Sequence, residues 1–195
     1  MKITVSINLG GYSFNIDEDA YAELKRYLKN LEIHFADEES SSEILSDIET
    51  RMAEIFRTKL TSYKQVIDIG DVQQVITVLG TPEDISENEG PTAREKFGSP
   101  GYHRMYRDTD HRVIGGVCAG MAAYWDLELW LVRVIFLILA LMGIGILIYL
   151  ILYIVLPEAK TTAEKIQMKG HPVNIHNIKD SVKKEFDSVR KNMKL

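Results

Sequence analysis

The chain has few of the residues that staple or catalyse. A single cysteine, Cys118, rules out an intrachain disulfide and a thiolate metal cage. His171 and His176 stand five apart, which does not set them on one helix face, and no carboxylate or thiolate set accompanies them, so a metal site is not expected. No nucleophile–base pair or carboxylate dyad is spaced for chemistry, and no P-loop lysine follows Gly10-Gly11 or Gly115-Gly116. Met1 to Leu9 lacks a charged segment followed by an apolar stretch of roughly 7 to 15 residues, so the start does not read as a secretory signal. These absences point away from an enzyme and from any cofactor, and they leave the N-terminal part on the cytoplasmic side.

What is present is grease in one place. Trp130 to Leu156 holds one charged side chain, Arg133. About 20 apolar residues suffice for a helix to cross a hydrocarbon core about 30 Å thick, so a transmembrane helix is expected over 130–156. Gly143 and Gly145 divide the run into two parts, and we expect one tilted or kinked span in preference to two crossings. Arg133, one turn inside the run, is placed to snorkel to headgroups. Tyr149, Tyr153 and Pro157 suit an end that reaches the interface.

Charge is distributed just as unevenly. Residues 1–99 carry 10 Lys/Arg against 19 Asp/Glu, whereas residues 158–195 carry 9 against 5. An acidic head and a basic tail are expected, with no affinity of the head for nucleic acid. In the head, Ile3, Val5, Ile7 and Leu9 alternate with polar residues, Gly10-Gly11 makes a hairpin turn, and Tyr12, Phe14 and Ile16 return in phase. Ala20, Leu24, Tyr27, Leu28 and Leu31 recur at helical spacing behind Asp17, Glu18 and Asp19. A second stripe runs from Ile44 through Ile48, Met52 and Phe56 to Leu60, and Gly70-Asp71 starts a third helix through Val72, Val75, Ile76 and Leu79 that Gly80 closes. A small α+β domain is expected over 1–86, built of a β-hairpin and about three short helices, followed by a linker over 87–104 rich in Gly and Pro.

Between linker and span, Thr109 or Asp110 can cap a helix with Val113, Val117, Met121 and Tyr124 on one side. Gly116 and Gly120, four apart and flanked by Gly115, let another helix's backbone come close. Cys118 lies among small residues and reads as packing. The order Asp-His-Arg-Val-Ile-Gly-Gly-Val-Cys-Ala-Gly-Met-Ala-Ala-Tyr-Trp, then Leu-Val-Arg-Val-Ile-Phe at 131–136, then an apolar run ending in Leu156-Pro157, resembles the PspC domain of bacterial phage-shock proteins. The likeness covers about 105–158 and rests on Arg112, Gly115, Gly116, Val117, Gly120, Tyr124, Leu131, Arg133 and Pro157. Where that family often has Asp-Pro before Leu-Val-Arg, this chain has Glu128-Leu129, which leaves Asp126 as a candidate cap for the span. The head also resembles the N-terminal extension on PspC-domain proteins of Bacteroidetes-like bacteria. The resemblance implies an inner-membrane, non-enzymatic regulator of envelope stress that senses membrane state and binds a peripheral effector or another membrane protein.

The tail sharpens late. Thr161 to Asn177 is polar, and then Ile178, Val182, Phe186, Val189 and Met193 make a stripe flanked by Lys179, Lys183, Lys184, Arg190 and Lys191. Such a basic amphipathic helix, over about 177–194, suits an anionic lipid surface or a partner's groove, or stays a solvated end. The expected architecture is therefore an α+β head, an all-α membrane module of an amphipathic Gly-rich helix and a transmembrane helix, and a basic C-terminal helix. The alternative to a signalling role is a structural protein that forms a homo-oligomer through Gly116 and Gly120 and stabilises the bilayer.

Overall fold

The structure, a computed structural model, describes residues 3–82 and 103–193. The last residues of the domain expected over 1–86, from Glu83 on, and most of the linker read over 87–104 lie outside the described residues. The chain forms two compact units, Met1–Arg94 with Asn174–Leu195, and Glu95–Val173. The region after Pro157, read as one tail, thus contributes to both.

In the first unit, β1 (Thr4–Leu9) and β2 (Tyr12–Asp17) pair antiparallel from Leu9↔Tyr12 to Thr4↔Asp17. Gly10 and Gly11 join them with φ of +54° and +80°, the left-handed pair that a tight two-residue hairpin demands. A third strand, β3 (Val66–Ile67), adds parallel to β2, so the hairpin is extended to a three-stranded sheet in the order β1-β2-β3. The alternation read in the sequence buries Leu9, Phe14 and Ile16.

Helix α1 (Glu18–His34) turns Ala20, Leu24, Tyr27 and Leu31 inward, and α2 (Ser41–Lys59) turns in Ile44, Ile48, Met52 and Phe56. Phe14 meets Phe56 edge to face with ring centroids 5.8 Å apart, joining sheet to helix. Helix α3 (Ile69–Leu79) starts one residue earlier than Gly70, because Asp68 and Asp71 form a reciprocal capping box. The Tyr27 hydroxyl donates to the Gly80 carbonyl at 2.7 Å and ties α1 to the end of α3.

The second unit contains α4 (Val117–Trp125), α5 (Leu129–Leu141), α6 (Ile144–Val155) and α7 (Thr162–Met168). No described helix is long and apolar enough to cross a membrane, which overturns the transmembrane helix expected over 130–156. The run folds instead as the hairpin α5–α6. Gly143 takes φ +80°, a left-handed conformation that ends an α-helix and that glycine reaches without a Cβ penalty. The Gly143 N–H donates to the Ala140 carbonyl at 2.9 Å, closing the turn. At Gly145 an added Cβ would lie 2.4 Å from the Leu139 carbonyl carbon, so α6 can fold back only because that position carries no side chain. The two helices, of 13 and 12 residues, are about 20 and 18 Å long.

The helix expected from Thr109 or Asp110 is also corrected. Gly115 and Gly116 have φ of +62° and +78°, which interrupts any helix there, and α4 begins only at Val117. Val113, expected on its apolar side, lies outside it and is exposed. Asp126, offered as a cap for the following helix, instead closes α4 with φ +52°, and Glu128 occupies the N-cap position of α5.

Candidate functional site

Arg107 organises the second unit. Its Nε donates to the Leu156 carbonyl at 2.9 Å, one terminal nitrogen donates to the Gly115 carbonyl at 3.3 Å, and the other pairs with Glu158 at 3.1 Å. The guanidinium also lies 4.4 Å from the centre of the Tyr153 ring. Main-chain bonds run beside it: Arg107 N–H to the Pro157 carbonyl at 2.8 Å, and Ala159 N–H to the Arg107 carbonyl at 3.0 Å. The start and end of the unit are thereby laced together, with Pro157 supplying an acceptor. In the sequence Arg107 suits a segment approaching the membrane surface, but no local spacing links it to Gly115 or Glu158, so its role as a tie between them is not legible there.

The glycines receive this extended segment rather than a helix. A Cβ on Gly116 would stand 2.1 Å from the Asp108 carbonyl oxygen, and one on Gly120 would stand 1.8 Å from the Tyr106 carbonyl oxygen. Gly115 faces Tyr153, whose ring would be 2.5 Å from an added Cβ. Val117 is fully buried, and Tyr124 stacks on His103 at 4.1 Å between centroids.

Asp108 holds the loop before α4. It accepts from the Asp110 N–H at 2.8 Å and lies 3.0 Å from the His111 ring nitrogen. Burial works against its ionisation, yet the His111 side chain and the backbone N–H groups outweigh it and hold the carboxyl below the usual carboxylate range. The Cys118 thiol is pushed up by burial, with the Arg133 guanidinium acting against it, so it stays protonated at neutral pH. Among the described residues no three His, Cys, Asp or Glu groups gather as metal ligands.

The hairpin offers the largest feature. In α5 and α6 only Val132 and Gly145 are buried. Leu137, Leu141, Ile146, Leu150 and Ile154 are each more than half exposed, and Leu131 faces outward with them. Monomers in water rarely expose apolar surface of this extent. Arg133 donates to the His111 carbonyl at 3.0 Å and keeps its charge exposed, as does Arg112. Phe136 and Tyr149 meet edge to face across the hairpin, and the Tyr149 hydroxyl donates to the Ile114 carbonyl.

This stretch is also where similarity to known proteins lies. Residues 103–159 match the PspC domain. The chain carries a PspC domain. No curated protein and no solved structure matches it. The PspC domain suggests involvement in the phage-shock-type stress response, and PspC-domain proteins are generally membrane-associated. The match stops at 159, but the structural unit continues through α7. Thr161 and Glu164 form a capping box at its start, and Met168 packs on Tyr106 and Ala159 of the PspC domain. The Thr-x-x-Glu spacing was a legible signal for this helix that a search for long periodicity misses.

The basic helix α8 (Ile175–Met193) belongs to the first unit, where Ile175, Ile178 and Val182 are buried. Lys179 and Lys183 reach Glu38 at 3.0 and 2.8 Å, and Arg190 reaches Glu39 at 3.2 Å. Hydrogen bonds from Lys183 and Lys179 lower the Glu38 carboxyl below its ordinary value. Lys184 and Lys191 remain exposed with Phe186 and Val189.

Proposed function

We propose that the chain is a non-enzymatic regulator of the phage-shock-type stress response, seated at the bacterial inner membrane by the PspC-domain hairpin, with a cytoplasmic head that binds a protein partner. The observation that carries this reading is that, of α5 and α6, only Val132 and Gly145 are buried, while most of the apolar side chains lie open. A helix that is apolar on all sides needs apolar surroundings, and lipid supplies them. Each Leu or Ile moved from water into acyl chains contributes on the order of 1 kcal/mol, so a dozen such residues seat the hairpin firmly without either helix crossing. Membrane state would then reach the head through the PspC domain and alter which face the head offers a partner. A reading as a structural protein that assembles through Gly116 and Gly120 is less favoured, because the domain's own backbone already covers both glycines.

The test is flotation of the full chain with vesicles of phosphatidylethanolamine and phosphatidylglycerol. The unsubstituted chain is expected in the lipid fraction, and Leu141→Glu/Leu150→Glu in the aqueous one. An unsubstituted chain that stays monodisperse in water without detergent contradicts the proposal.

A further inference from the structure

One groove on the PspC domain has two chemically different ends. It has a volume of about 500 Å³, within the range of sites that enclose small organic ligands. His111, Arg112 and Arg133 line one end, and Leu137, Ala140 and Ile146 line the other. Along α5, Arg133 and Ala140 are seven residues apart, so the groove runs roughly 10 Å from its charged mouth to the hairpin turn. Arg133 bonds only to the His111 carbonyl, and neither Arg112 nor Arg133 has a carboxylate partner among the described residues. Tyr149 closes one side, held by its bond to Ile114.

We propose that this groove binds one acyl chain of an anionic phospholipid, with the headgroup phosphate between Arg112 and Arg133. The inference deepens the membrane-seated reading and rests on it, naming the lipid class that the hairpin selects. Charge complementarity identifies the occupant: two guanidiniums with no carboxylate partner among the described residues match a phosphate carrying net negative charge, and a zwitterionic headgroup brings its own cation to the same place. The apolar length behind them takes methylenes, which a soluble phosphate ester does not offer. Arginine suits this position because its planar fork grips phosphate oxygens in pairs and its stem lies against apolar surface.

Native mass spectrometry of the full chain, released from neutral detergent micelles containing equal amounts of dioleoyl phosphatidylglycerol and dioleoyl phosphatidylcholine, tests this. A single retained phosphatidylglycerol is expected, with a preference that falls roughly fivefold for each arginine removed. Arg112→Gln alone should lower the preference, and Arg112→Gln/Arg133→Gln should erase it. Leu137→Trp, which fills the apolar end, should reduce retention of both lipids, with circular dichroism confirming its helix content. Glycerol phosphate without acyl chains should not bind. Equal retention of the two lipids by the unsubstituted chain, an unchanged preference in the double arginine variant, full retention by folded Leu137→Trp, or a second copy of the chain in place of lipid would each overturn the proposal. Flotation separates the two levels: a chain that floats without lipid preference keeps the membrane-seated reading and loses the groove.

Discussion

The head and the PspC domain use the same apolar residue types in opposite ways. In the head, Ile16, Leu31, Ile44, Met52, Phe56 and Val72 have no exposed surface, and the polar sides of α1 and α2 face out. In the hairpin, Ile144, Leu147, Ile151 and Val155 stand open. The difference lies in patterning, because a stripe three or four residues wide per two turns finds its partners within the chain, whereas a helix that is apolar all round has no outer face to leave in water. One chain therefore carries a unit that stabilises itself and a unit whose surroundings complete it.

That contrast is sharpest at Phe56. Phe56→Ala removes a ring from a closed core and is expected to destabilise the head by about 3–5 kcal/mol in urea unfolding. Flotation of the same variant should be unchanged. Leu141→Ala, at a side chain that is 84% exposed, should leave unfolding within about 0.5 kcal/mol and weaken only the lipid association.

Within the PspC domain the packing that matters is backbone against backbone. Gly116→Ala forces a side chain onto the Asp108 carbonyl at a left-handed φ, and about 2–3 kcal/mol of destabilisation is expected from thermal melting in detergent. Gly143→Ala meets no neighbour and should suffer only the backbone term, about 1 kcal/mol. A Gly116→Ala variant as stable as the parent would mean that the 106–108 segment does not pack where it is described.

Smaller effects follow at the charged positions. Asp68→Ala removes the cap of α3 and should cost the head about 1 kcal/mol. The Glu38 carboxyl is lowered by its lysine hydrogen bonds, so its contribution to holding α8 is present above the ordinary glutamate value of about 4.3 and is lost as pH falls through the lower folded value. Protection of the α8 amides against exchange, taken relative to an unfolded chain at the same pH, should fall as the solution is acidified below the ordinary glutamate range and, more weakly, at high salt. Exchange in α3 should change less with salt.

How much of this was legible in the sequence depended on the range of the interaction. The hairpin at Gly10-Gly11 and the stripes of α1 and α2 are local patterns with periods of 2 and 3.6 residues, and they can be read directly. The break at Gly143 was misjudged, because a glycine pair in an apolar run fits a kinked span as well as a closed turn, and the length of the run favoured the span. What decides is the packing of Gly145 on Leu139, a tertiary contact. Arg112, Arg133 and the Gly116–Gly120 spacing stood out as residues, but the segment at 106–108 that fills those glycines is extended and carries no periodicity to mark it, and the link from Arg107 to Leu156 and Glu158 joins positions about fifty apart. The pairing of Lys179 and Lys183 with Glu38 is longer still, which is why the tail read equally well as a lipid-binding or solvated helix.

On the proposed reading, lipid surrounds the α5–α6 turn and water surrounds the head. In a Cys118→Ala background, single cysteines at Leu141, on the hairpin turn, and at Tyr63, a fully exposed position of the head, can be reacted with a charged maleimide after reconstitution into permeabilised vesicles. Rapid labelling is expected at position 63, with protection at 141 that detergent relieves. Equal, rapid labelling at both positions in intact bilayers would contradict that reading.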